Sequence, residues 1–250
     1  MTTQTALAAA ATLVALGFSL ATFERWLARH RRHELAWSIA LAMFTAGSAA
    51  LWLGAADGWD GPTFRAFYLF GAIVNVPVLA LGTVYLLGGQ RAGDRWAVVV
   101  GLTCAFAAGV LVTAPLQAPI PVDRLPRGSE VFGPLPRILA AVASAGGASV
   151  VLAGALWSAW RLARGRGRTG RGSATTRRLV AANVLIALGT LVLGAGGLFN
   201  SVLDEMEAFA VTLVVGITLI FAGFLLAALK PTPRVVDPVT VTSAGRGVPR

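Results

Sequence analysis

The sequence predicts an all-α membrane protein: a single bundle of seven transmembrane helices, N-terminus outside and C-terminus cytoplasmic. Three observations predict it. Seven runs without a charged residue, at about 5–22, 35–56, 66–88, 97–117, 138–160, 179–200 and 208–229, each have about the 20 residues needed to cross a hydrocarbon core about 30 Å thick. The 21 basic residues divide 17 to 4 between alternate sides of those runs, which sets the orientation. Six tryptophans, Trp26, Trp37, Trp59, Trp96, Trp157 and Trp160, fall near the ends of runs, where amphipathic rings favour the headgroup layer.

Composition supports each step. Hydrophobic residues make up 56% of the 250-residue chain and charged residues 13%, about half the share usual in soluble domains, and the mean hydropathy is +0.73. The runs lack the alternation of barrel strands, so helices are the remaining way to satisfy a backbone in hydrocarbon. The net charge of +10 resides in loops and ends, which argues for a membrane protein and against a nucleic-acid binder. The first run has no basic segment before it and reads as a retained helix, not a signal peptide. The domain is expected over 1–229, with a short, disordered cytoplasmic tail over 230–250.

Between the fourth and fifth runs, Ala118 to Arg137 contains Pro119, Pro121, Pro126, Pro134 and Pro136 and predicts an ordered or extended cap on the outer face, a connector more than a lid. Between the fifth and sixth, RLARGRGRTGRGSATTRR is basic and glycine-rich; Arg164, Arg166, Arg168 and Arg171 are expected to contact anionic lipid at the cytoplasmic face, at about 1 kcal/mol per basic residue.

Signatures of chemistry are few. The runs hold no ionisable residue near mid-membrane, which argues against a carboxylate proton relay. The only lysine, Lys230, lies at the cytoplasmic end of the last run and not within it, unlike a retinal-linking lysine. His30 and His33, in RHRRHE, are two ligands among arginines, short of a zinc set, and read as a solvated loop. Cys104 reads as a small buried hydrophobe. No metal, no cofactor and no enzymatic activity is expected.

The third run carries the strongest local signal. Pro77 removes a backbone donor and crowds the carbonyl of Ile73, so the helix should kink at mid-membrane. Tyr68, Gly71, Asn75, Gly82 and Tyr85 share one face within about 100° of arc, a face ill suited to lipid. On the sixth run Asn183, Ala187, Thr190, Gly194, Gly197 and Ser201 do the same, with small residues at Ser144, Gly147 and Ala148 of the fifth and Thr212, Gly216 and Gly223 of the seventh. Such faces pack tightly or enclose a polar pocket. The ligand residues proposed from the sequence are Tyr68, Asn75, Pro77, Tyr85, Asn183 and Thr190.

The string YLFGAIVNVPVLALGTVYLL resembles one found in uncharacterised seven-helix membrane proteins of actinobacteria, with weaker similarity in GLFNSVLDEMEAFAVTLVVGITLIFAGFLLA. That resemblance implies a bacterial plasma-membrane location and no particular activity. The functional expectation is therefore a non-enzymatic carrier or sensor of a neutral or amphiphilic small molecule, held between the third and sixth helices. The alternative is an assembly partner in a membrane complex, whose seams only pack and whose basic loops contact lipid or another protein.

Overall fold

The computed structural model describes residues 3–122, 124–164, 173–198 and 206–229. Among these the regular secondary structure is helical apart from one isolated bridge between Leu116 and Phe132. The elements are α1 (Thr3–Arg29), α2 (Arg32–Asp57), α3 (Gly61–Phe67), a π-helical segment (Tyr68–Val74), α4 (Asn75–Thr113), α5 (Gly128–Val131), α6 (Pro134–Ala163), α7 (Ser173–Leu198) and α8 (Met206–Ala228). Among the described residues six helices are long and apolar enough to cross a membrane, a multi-pass architecture.

One of the six, Gly61–Thr113, is 53 residues long. At 1.5 Å per residue it would extend about 80 Å, more than twice a hydrocarbon core. It is not straight. Gly89 has φ 80° and ψ 179°, a conformation that costs glycine little and other residues much, and the chain turns back there. The reversal is fixed at both ends. Near the turn the Tyr85 hydroxyl donates to Asp94 Oδ1 at 2.8 Å, and at the far end Arg65 donates to the carbonyls of Leu111 and Ala114, the latter at 2.7 Å. A guanidinium on the last carbonyls of a helix satisfies acceptors that have no intrahelical donor and complements the helix dipole. The gap between the uncharged runs 66–88 and 97–117 predicts a loop; the structure confines the break to Gly89, and Arg91, Asp94 and Arg95 belong to the helix that follows.

Helix packing closes a ring. α1 lies on α2 and α8, α2 on the π segment and α4, α4 on α6, α6 on α7, and α7 on α8. The arm 90–113 packs on the π-segment side, where Ala107 and Leu111 join a core with Phe64, Ile73, Val131 and Phe132. We call the end of the bundle that carries this core the loop end. There the Pro-rich segment is ordered: Gln117 N–H donates to the Val131 carbonyl at 2.9 Å, Trp59 N–H to the Val122 carbonyl at 3.2 Å, and Phe132 stacks on Phe64 with centroids 5.4 Å apart. Trp59 departs from the headgroup role expected of it. It is buried beneath the segment, against the backbone of Gly54, because the loop folds over a ring that a helix end alone would leave in the interface. Asp60 caps α3 by accepting from Thr63 N–H at 2.8 Å, and Thr63's hydrogen bonds hold its carboxyl below the usual carboxylate range.

The opposite end is organised by charge. α1 stops at His30, with φ 50°, and α2 resumes at Arg32. Glu34 is completely buried between them, with Arg25 at 3.2 Å and Arg29 at 3.9 Å, and Arg25 also lies 4.6 Å from the centre of the Phe224 ring on α8. Arg32 pairs with Asp94. The RHRRHE string is thus a tight inter-helix turn whose last residue is a structural carboxylate. His30 packs on Trp26 and His33 on Trp37.

Candidate functional site: a cavity beside the π segment

The site begins with Pro77. Without an N–H at 77 the Ile73 carbonyl loses its usual donor and the ring presses on it, so the ladder preceding the proline needs more room. The chain provides it by widening into the π segment Tyr68–Val74 and returning to an α-helix at Asn75. A disturbed ladder leaves carbonyls open to other donors. The Ser144 hydroxyl of α6 donates to the Ala72 carbonyl at 2.5 Å. Two glycines bring the neighbouring helices close enough. A Cβ on Gly47 of α2 would come within 2.8 Å of Gly71 N, and one on Gly147 of α6 within 2.8 Å of the Val76 carbonyl carbon. The π segment and the first turn of α4 are clamped between two backbones.

Asn75 is the first residue after the widened turn. Its residue exposure is 5%, and its Oδ1 has no hydrogen-bond partner among the described residues. Buried polar atoms are hydrogen-bonded in the great majority of cases, and an orphan costs about 1–3 kcal/mol. Asn75 lines a cavity of about 980 Å³, the upper end of the range usual for small-molecule sites. α2, the π segment with the start of α4, α6, α7 and α8 enclose it, and Pro126 to Ser129 lie at the loop end. Its wall is mainly Ala, Leu, Ile, Val and Phe, with Ser48, Asn75, Ser144, Ser149 and Thr190 as scattered polar points. A wall of that kind suits an apolar guest with few hydrogen bonds to offer.

Of the residues proposed from the sequence, the structure brings Tyr68, Asn75 and Thr190 to this cavity. Pro77, Tyr85 and Asn183 do not line it. Pro77 acts through the backbone, as described. Tyr85 sits near the Gly89 turn, bonded to Asp94, with its ring where a Cβ on Gly93 would stand. Asn183 donates to the Leu179 carbonyl of its own helix at 2.8 Å, and Thr190 likewise to Ile186 at 2.8 Å. Tyr68 closes the loop end against the backbone of Gly128.

Sequence reasoning passed over Ser144 as a carbonyl cap, Arg137 as part of the cavity wall, and Glu34. The first two follow α6 positions 137, 141, 144, 148 and 152, a helical stripe that crosses from charged through small to apolar. Of the basic-loop residues, Arg164 lies 4.6 Å over the Trp160 ring. Arg166, Arg168 and Arg171 fall outside the described residues, as do 230–250 and the side chains of Asp204, Glu205 and Glu207.

Comparison of the chain with family models, with curated proteins and with solved structures gives no match. The functional reading therefore rests on the cavity's own chemistry.

Proposed function

We propose that the chain is a non-enzymatic carrier or sensor of an amphiphilic small molecule, held in the cavity between the π segment, α6 and α7. The observation that carries this is the pairing of a large apolar cavity with one buried, unpartnered amide oxygen on its wall. A hydrogen-bond donor on the guest would complete Asn75, and an alkyl or ring portion would cover the Ala- and Leu-rich remainder. The fold-back at Gly89 makes two arms of the 53-residue helix, and with the other five long helices this supports seven crossings. The 17 to 4 distribution of basic residues favours an orientation with the loop end outside and the Glu34 end in the cytoplasm, in a bacterial plasma membrane. In that orientation the basic stretch of the sequence that holds Arg164, Arg166, Arg168 and Arg171 belongs to the cytoplasmic side, where anionic lipid attracts it.

Native mass spectrometry of the chain purified in a mild non-ionic detergent tests the reading. The wild type is expected to retain a bound amphiphile, and Asn75→Leu to lose it while still folded. A stable co-purifying protein subunit, with no retained small molecule in either protein, would instead favour the assembly-partner alternative.

A further inference from the structure

We infer that the guest is an anionic amphiphile, an alkyl chain bearing a carboxylate or phosphate head, and that Arg137 holds the head at the loop end. This rests on the cavity being an amphiphile site and adds the charge and the direction of the guest.

The lining residues that carry charge are Arg127 and Arg137, both cations and both at the loop end; no carboxylate lines the cavity among the described residues. Arg137 belongs to the first turn of α6 and is solvent-accessible. The ion pairs among the described residues use Arg25, Arg29, Arg32 and Arg124, and none uses Arg137. The nearby carboxylate of Glu130 is already engaged, with Arg124 at 2.9 Å. A guanidinium at one end of an apolar chamber is suited to a planar or tetrahedral oxyanion, to which it can present two donors at once.

Depth gives the orientation. Ser144 lies seven residues along α6 from Arg137, about 10 Å deeper, and it is bonded to the π segment that ends beside Asn75. Leu152, the deepest lining residue on α6, is about 22 Å from Arg137. Beyond the level of Asn75 and Ser144 the wall on α2 and α8 is Ala40, Leu41, Ile217 and Ile220, which offer an alkyl chain contacts and a head none; the polar residues at this depth are Ser149 and Thr190, whose hydroxyl donates to the Ile186 carbonyl of its own helix. Charge at one end, a mainly hydrocarbon wall at the other and the open acceptor of Asn75 between them describe a single-headed amphiphile with its head at the loop end and a hydroxyl part-way along its chain as the donor to Asn75.

The test uses the full chain in non-ionic detergent and four probes of equal chain length: palmitate, hexadecyl phosphate, hexadecanol and hexadecyltrimethylammonium. Dissociation constants are read from ligand-dependent thermal stability. The anionic probes are expected to bind at least about tenfold more tightly than hexadecanol, the scale of one charge-assisted hydrogen bond, and the cation more weakly than hexadecanol. Arg137→Gln should bring the anions to within about twofold of hexadecanol without changing hexadecanol itself, while Arg137→Lys keeps a preference for the anions. Should Arg137→Gln fail to fold, Arg137→Met is read in its place. Hexadecanol binding as tightly as the anions, or an anion preference that survives loss of the guanidinium, would overturn the headgroup assignment and leave the cavity reading standing. If none of the four probes binds, the cavity reading falls with it.

Discussion

Two faces of α7 are built from the same small residues and do opposite things. On one face Gly189 meets α8 backbone to backbone: a Cβ there would lie 2.7 Å from the Gly216 carbonyl oxygen, and Gly196 and Gly223 continue the seam against Thr212 and the Ala182 carbonyl. On the other, Gly194 would place its Cβ in open space, on the wall of the cavity. In lipid no hydrophobic force draws helices together, so close packing of small residues has to supply the association. The α7–α8 seam uses its glycines for that. The Gly194 face leaves them unused, and a helix face that gives up packing is available to a guest.

The largest test of the contrast is on the tightly packed side. Arg25→Leu leaves the buried Glu34 with only Arg29, at 3.9 Å, and removes the cation over Phe224; stability should fall by about 3–5 kcal/mol, measured by denaturation in detergent. A change near zero would mean that water reaches Glu34. Next is Gly189→Ala, which forces α7 and α8 apart and should cost about 1–3 kcal/mol in the same measurement. Its partner, Gly194→Ala, should be neutral or stabilise by up to about 1 kcal/mol, because the methyl meets nothing and alanine is the better helix former. Equal losses from the two substitutions would erase the difference between the faces. The smallest effect is expected from Asn75→Leu. Membrane hydrogen bonds average about 0.6 kcal/mol, and here the oxygen has no partner to lose, so the melting temperature should hardly move. Unfolding by this substitution would make Asn75 a structural residue.

Much of the helical plan is legible in the sequence because a bilayer demands long uncharged runs, and long runs survive errors of a few residues at each end. The disturbance at Pro77 is legible for the same kind of reason, since a missing N–H acts locally. Its form is not. A π segment depends on Gly47, Gly147 and Ser144, which lie on two other helices. Helical periodicity puts Tyr85 within about 100° of Asn75, but Tyr85 is ten residues, about 15 Å, further along the helix, and the turn at Gly89 brings Asp94 to its hydroxyl. Glu34 reads as part of a charged loop until α1 and α2 are seen to close over it. On α7 a stripe of small residues announces close approach or a pocket equally well, and only the position of α8 tells Gly189 from Gly194.

The most direct test of the cavity as a binding site is to fill it. Ala148 lies on its wall, half-buried, on the stripe of α6 between Ser144 and Leu152. Thermal unfolding of the wild type and of Ala148→Trp is followed with and without hexadecanol. The account predicts similar melting temperatures for the two proteins alone, and a rise on adding hexadecanol in the wild type only. An equal rise in both, or collapse of the variant without ligand, would contradict it.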